Sequence, residues 1–314
     1  MKISVILPTY RRNCQEELDN LHKYANFIET SPFDKEFARL YEKSVRCCKH
    51  ILLPTLECLA NQTFQDFEVL VCHKYPKDIP IKVDFQDFKI IKEKPSIWHS
   101  LGDYATVNNI RNTGIINSQG ELLFFLDDMT IFNENLLQTI WDNYQDGYYT
   151  TCSTMKRIKV ENNKIQGTSR LPGNIGDLIP NQATWSYAMS VSKKECLKIN
   201  GFDEVWDGSF GGTDMDFGRR LNKITRYKRK LGPMIYEFTH YAEQKKRKQI
   251  RDDEYLRVLT GQTLNPKHIK ANSWKPTQSE LNLYRDYHLE KYGEIDNNWD
   301  KLMDVPLYNM EDLK

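Results

Sequence analysis

Apolar positions in this chain fall into short runs separated by longer amphipathic stretches. Ile3 to Leu7 is a β-rich apolar run ended by Pro8, and Phe67 to Cys72, Phe88 to Ile91 and Leu122 to Leu126 repeat the signature. Runs of this length predict strands, the fully apolar ones buried on both faces. Between them the spacing predicts helices. One covers Ile51 to Leu59 and stops near Asn61-Gln62-Thr63; another covers Asp103 to Ile116 and is closed by Asn117-Ser118-Gln119-Gly120. Strands alternating with helices at this rhythm predict a parallel, doubly wound α/β sheet over about the first 130 residues.

Other segments break the rhythm. Cys14 to His50 is charged and aromatic, helical in part and broken at Ser31-Pro32. It reads as an insertion between the first strand and the first helix, either a lid over a site or surface elaboration. In the second half, Glu134 to Tyr144 predicts a helix, Gly147 to Val160 alternates like a strand, and Arg170 to Asn181 is a Gly/Pro-rich loop. Trp185 to Val191 predicts a strand, followed by a helix from Lys193 to Ile199 that stops at Asn200-Gly201. Asp207 to Thr213 is glycine-rich and leads into a helix that Asp214 opens. Beyond Tyr241 the chain becomes highly charged, so residues 1–240 are expected to form the main domain and 241–314 a helical C-terminal extension.

Composition narrows the function classes. Lys and Arg total 44 against 43 Asp and Glu, and a net charge of +1 argues against a general nucleic-acid binder. No apolar stretch approaches the roughly 18 residues of a transmembrane segment, and the apolar part of the N-terminus is short for a secretory signal. A cytoplasmic protein, or one peripheral to a membrane, is therefore expected. The seven cysteines are scattered without Cys-x-x-Cys pairs, which predicts reduced, mostly buried thiols and no zinc. With 17 Tyr, 14 Phe and 6 Trp, aromatic content is high, which suits a cleft that stacks planar or sugar rings, although core packing explains most aromatics.

The candidate chemistry starts where Leu122-Leu123-Phe124-Phe125-Leu126 runs into Asp127 and Asp128. Ionised Asp is seldom buried without a partner, so the pair should emerge at the strand's carboxyl end, where open α/β sheets bind ligands. Adjacent acids there suit a hard divalent cation and a phosphate-bearing substrate, although a polar strand end that merely caps a loop is the alternative. The second candidate is Gly211-Gly212-Thr213-Asp214-Met215-Asp216. Thr213 suits an N-cap and the acids complement the helix dipole, which is a structural role. Glycines also let backbone approach a ligand, and a carboxylate fixed in the first helical turn suits a general base.

Together these residues resemble glycosyltransferases of the GT-A fold, closest to glycosyltransferase family 2. Five blocks occur in the family's order over about Lys2 to His240. Ser4-Val5-Ile6-Leu7-Pro8-Thr9-Tyr10 looks like the first strand and nucleotide loop, and Gln62 to Val71 like the passage into the second strand. Asn109-Ile110-Arg111-Asn112-Thr113-Gly114 resembles the Ala-Arg-Asn-x-Gly helix, and Phe125-Leu126-Asp127-Asp128 the acidic metal motif. The fifth runs from Asn200-Gly201-Phe202-Asp203-Glu204 to Gly212-Thr213-Asp214-Met215-Asp216 and resembles the family's paired Gly-Gly-Phe-Asp-Glu and Glu-Asp-x-Asp motifs. Each is weak alone; five in register are specific.

The resemblance implies a Rossmann-like, mostly parallel sheet flanked by helices, and transfer of a sugar from a nucleotide-diphosphate sugar to a glycan or lipid-linked acceptor. It implies that Asp127, Asp128 and His240 hold a divalent metal, Mn2+ or Mg2+, that Pro8, Thr9, Tyr10, Arg111 and Asp127 bind the nucleotide sugar, and that Trp185 and Asp216 contact acceptor or sugar. Asp214 falls on the family's catalytic base, which implies inversion. Two departures stand out. Cys72-His73-Lys74 replaces the acid that reads the base after the second strand, and Met129 stands where the acidic motif carries another acid. Met129 and the missing base reader leave a non-catalytic nucleotide-sugar or carbohydrate-binding protein as the alternative. A sugar nucleotidyltransferase is a third reading, but Pro8-Thr9-Tyr10-Arg11-Arg12 contains no glycine for a phosphate loop.

Overall fold

The computed structural model describes residues 1–9, 15–28, 34–74, 76, 79, 87–94, 106–151, 155–161, 164–169, 188–204, 207, 213–227 and 234–238. Its elements run β1 (Ile3–Thr9), α1 (Gln15–His22), α2 (Ala25–Ile28), α3 (Lys35–Ser44), α4 (Leu53–Ala60), β2 (Phe67–His73), β3 (Phe88–Lys92) and α5 (Val107–Asn117). Then follow β4 (Leu122–Leu126), β5 (Thr130–Phe132), α6 (Leu136–Asp142), β6 (Tyr148–Thr151), β7 (Met155–Glu161) and β8 (Lys164–Ser169). The last described elements are β9 (Ala188–Ser192), α7 (Lys193–Lys198), α8 (Thr213–Leu221), β10 (Arg226–Tyr227) and β11 (Ile235–Phe238).

Seven strands form one sheet in the order β10-β6-β9-β4-β1-β2-β3. It is mostly parallel: β1 pairs in parallel with β2 and β4, and β2 with β3, while β9 runs antiparallel to β4 and β6. The two-residue period of a strand sorts the apolar runs onto opposite faces. Ile3, Val5, Leu7, Leu122, Phe124 and Leu126 enter one core; Ile6, Leu123, Phe125, Met189 and Val191 enter the other with Ile110 of α5 and Phe217 of α8. That is why these strands read as unbroken apolar runs. Both faces are covered.

A second sheet, β5-β11-β7-β8, lies outside the sequence expectation, apart from β7. Its strands β5 and β11 are three and four residues long, too short to leave a period in the sequence. The segment expected as a lid or as surface elaboration packs on it instead. Phe37, Leu40 and Tyr41 of α3 are buried, with Asp34 capping the helix by accepting from the Glu36 amide at 2.9 Å. The Phe37 ring lies 5.3 Å from Tyr236, and the Tyr24 ring 5.2 Å from Phe238, both on β11. Tyr24 Oη donates to the Ile158 carbonyl at 2.9 Å. Burial of each such ring contributes about 2–3 kcal/mol, so α3 and Tyr24 belong to the core, with Leu18 and Leu21 of α1.

Three further expectations change. β1 continues through Pro8 to Thr9, because β4 pairs only as far as Ile6 and the proline there has one strand neighbour to serve. Gly120 is a close-packing residue, not a helix cap: a Cβ there would lie 2.6 Å from the Ser4 amide nitrogen. Thr213 is the first helical residue of α8. The Asn200-Gly201 stop of α7 is as expected, with φ of 59° and 71° and the Gly201 amide donating to the Cys196 carbonyl at 2.9 Å. The described cysteines are unbridged thiols, all buried except Cys47. No helix among the described residues is long and apolar enough to cross a membrane. The expected extension over 241–314, the loop Arg170 to Asn181 and Asp103 lie outside the described residues.

Candidate active site

β4 delivers Asp127 and Asp128 to the carboxyl edge of the large sheet, and the chain then turns sharply. Met129 takes the left-handed conformation, with φ of 58°, and its side chain is buried in the core. Two bonds close this turn: Thr130 Oγ1 donates to the Asp127 carbonyl at 3.0 Å, and the Phe238 amide to the Met129 carbonyl at 3.1 Å. The position where the family motif carries another acid therefore faces inward. An acid there would be buried.

The two aspartates have different surroundings. Asp128 is buried, and its Oδ2 accepts from Thr9 Oγ1 at 2.8 Å. Asp127 is the more open one, with 33% of its side chain exposed and Arg111 Nη2 at 3.5 Å from Oδ1. Burial pushes the Asp127 carboxyl up to about 7, and the negative charges of Glu237, Asp128 and Asp214 add to this while Arg111 opposes it. Three other carboxylates, from the turn after β4, from β11 and from α8, thus act on Asp127 at the sheet edge.

Arg111 projects from α5 with 7% of its side chain exposed, its guanidinium 5.1 Å from the centre of the Phe202 ring. Its Nε has no hydrogen-bond partner among the described residues. α5 itself is held from a distance: Asp207 accepts from the Asn108 and Asn109 amides at 2.7 and 2.9 Å, capping the helix start. Asp207 is fully buried, and burial holds its carboxyl well above the usual range despite those two bonds. Lys94 and Glu204 form an ion pair at 2.5 Å beside Asn112, which donates to Glu204 at 2.7 Å.

Of the residues expected at the site, Asp127, Asp128 and Arg111 come together, and Asp214 lies half-buried in the first turn of α8, close enough for its charge to act on Asp127. Thr9, expected to bind nucleotide, is buried and holds Asp128; Pro8 is buried within β1 opposite Cys72. Asp216, expected to contact acceptor or sugar, is buried instead, and its carboxylate accepts from Arg220 Nε at 2.8 Å. The reason is helical spacing, which turns Asp216 onto the packed side with Arg220 one turn on. Cys72 and His73 stay inside β2, fully buried. Tyr10, Trp185 and His240 lie outside the described residues.

Among the described residues no three His, Cys, Asp or Glu side chains converge on a ready-made metal cage. The donor set still fits a hard cation that takes one or two carboxylates and completes its shell with water and substrate phosphates. Asp127 supplies the open carboxylate, and the surplus of acids over Arg111 leaves negative charge for a cation to offset. Glu237 and Asp207 are parts of this site to which the sequence assigns no role, and Phe202 stands in it only as a member of the Asn200-Gly201-Phe202-Asp203-Glu204 block. Glu237 had one signal, a lone acid inside the apolar run Ile235-Tyr236-Glu237-Phe238.

No protein-family model and no curated protein matches the chain. Among solved structures it is similar to S. aureus TarS, with 14% identity and a TM-score of 0.45, over 96% of this chain and 42% of that one. It is also similar to TarS 1-349 in complex with UDP-GlcNAc, with 14% identity and a TM-score of 0.41, over 96% and 70% of the two chains. A third is GalNAc-T7 with UDP, GalNAc and Mn2+, with 10% identity and a TM-score of 0.49, over 98% and 58%. The chain spans less than half the length of the first of these. Likenesses at this level leave the functional assignment to the residues themselves.

Proposed function

We propose that this chain is a GT-A type glycosyltransferase that moves a sugar, a hexose in the simplest case, from a nucleotide-diphosphate sugar to an acceptor hydroxyl with inversion. The observation that supports it most is the meeting of Asp127, Asp128, Arg111 and Asp214 at the carboxyl edge of one parallel sheet, from three separate elements. Such edges are where α/β folds bind nucleotides. The acceptor is a glycan or a lipid-linked hydroxyl.

Asp214 accepts the proton of the acceptor hydroxyl as its oxygen bonds to the anomeric carbon. The bond from that carbon to the diphosphate breaks on the opposite face, and its electron pair leaves with the diphosphate. Arg111 offers guanidinium donors to that departing charge. Asp127, with Asp128 fixed beside it by Thr9, would hold Mn2+ or Mg2+, which when bound supplies neutralising charge to the leaving group.

The test is titration of nucleotide sugars of differing base, with and without Mn2+, followed by an assay for released nucleotide. Transfer is expected in the wild type and is lost in Asp214→Asn, while donor binding persists. Full turnover by that variant sinks the assignment of the base. The inward-facing Met129 favours a second reading, a nucleotide-sugar-binding protein without turnover, which binding with no nucleotide release under any condition would select.

A further inference from the structure

Four side chains form a continuous stack beneath the proposed site. The Arg111 guanidinium lies 5.1 Å from the centre of the Phe202 ring. Phe202 stacks on Phe217 with centroids 3.8 Å apart and planes 5° from parallel. The Arg220 guanidinium lies 5.7 Å beyond, over Phe217. Phe125 of β4 supports both rings edge-on, at 5.1 and 6.3 Å. The order is cation, ring, ring, cation, and it runs from α5 to α8.

Phe202 is held from the other side as well. Asn112, next to Arg111 on α5, donates from Nδ2 to the Phe202 carbonyl at 2.9 Å and accepts at Oδ1 from the Phe202 amide at 2.8 Å. One residue of the loop after α7 is thus gripped at its backbone by Asn112 and covered on its ring by Arg111. Its other face meets Phe217, three residues beyond Asp214 on the same helix and so on a neighbouring face. Arg220 then ties α8 to the end of α7, donating through Nη1 to the Ile199 and Gly201 carbonyls at 2.9 and 2.6 Å.

We propose that Phe202 is a positioning residue: its ring sets the Arg111 guanidinium beside Asp127 and links that setting to the helix that carries Asp214. A guanidinium that is nearly buried, with a 3.5 Å contact to Asp127 and an Nε that has no hydrogen-bond partner among the described residues, is not oriented by hydrogen bonds alone. The ring face supplies the orientation, and keeps the remaining donors available for an anionic ligand. The part concerning ligand rests on the proposed binding of nucleotide diphosphate; the part concerning the stack does not.

The experiment uses the full chain with Phe202 replaced by mono-, di- and trifluorinated phenylalanine, which weakens the ring's negative face with little change in size. Two quantities are read: the NMR shift of the Arg111 Nε–Hε pair without ligand, and the Kd for UDP and GDP with Mn2+. The Arg111 resonance is expected to move stepwise with each fluorine, and the Kd of whichever nucleotide binds to rise about 3- to 30-fold over the series, the range of a cation–π contact. Phe217→Leu, one layer removed, should raise Kd in the same direction by less. A ring that only fills space would leave the Kd flat across the fluorine series, even where the nearby resonance shifts, and that result overturns the proposal. A resonance that responds while no nucleotide binds the wild type retains the stack and rejects nucleotide binding, so the two failures are told apart.

Discussion

Thr9 Oγ1 donates to Asp128 Oδ2 across 2.8 Å, so the last residue of β1 fixes the second acid at the end of the neighbouring strand β4. The pair is buried. A hydroxyl bound to a buried carboxylate is worth about 1.5–3 kcal/mol. Thr9→Val keeps the shape and removes the donor. We expect a stability loss of about 1–3 kcal/mol in urea unfolding, with weaker Mn2+-dependent nucleotide binding. Unchanged binding would mean that Asp128 does not serve the metal.

The Asp127 carboxyl, pushed up to about 7 by burial and by Glu237, Asp128 and Asp214, makes stability depend on pH. Between the ordinary carboxylate value and about 7 the folded chain keeps a proton that the unfolded chain has released. Stability from this group is therefore full in acid and is lost as pH rises through about 7. Tm measured from about pH 5 to 8 should fall more steeply in the wild type than in Asp127→Asn. Mn2+ affinity should rise over the same window, since the cation needs the ionised form, and should lose that rise in the variant.

Asp216 and Arg220 form a buried ion pair inside α8. Removing one partner leaves an uncompensated charge, so Arg220→Met should cost about 3–5 kcal/mol. The double replacement Asp216→Leu with Arg220→Met should be less destabilised than Arg220→Met alone, because no buried charge is left over. Chemical denaturation of the three variants checks this. Equal loss in the single and double variants would place the cost in the Ile199 and Gly201 carbonyls that Arg220 also serves.

Met129 invites a repair of the acidic motif. Met129→Asp should not tighten Mn2+ binding, because the side chain at that position enters the core. Burying a carboxylate there should instead destabilise the chain by several kcal/mol, on the order of 3–5. Calorimetric titration with Mn2+ and thermal unfolding of the variant read the two effects separately. A gain in metal affinity with full stability would show that the turn can reopen.

Much of the sheet was legible because its central strands β1, β2 and β4 are buried on both faces. β4 falls where its five apolar residues stand, and α7 ends at Asn200-Gly201 because only a left-handed pair closes it. The burial of Asp216 was not legible because two aspartates two positions apart look alike in a string, while on a helix they point to different surroundings. β5 and β11 escaped notice for another reason: strands of three and four residues are set by partners distant in the chain.

What the sequence alone determined is the order of the buried strands and the acids that end them, because periodicity and charge are local properties. Only the tertiary structure decided which acids act together. It turned Met129 inward, bound Asp128 to Thr9, set Asp127 among Glu237, Asp214 and Arg111, and built Phe202 into a stack between two helices. Those outcomes depend on distances between elements far apart in the chain, and on burial, which raises the cost of every unpaired charge.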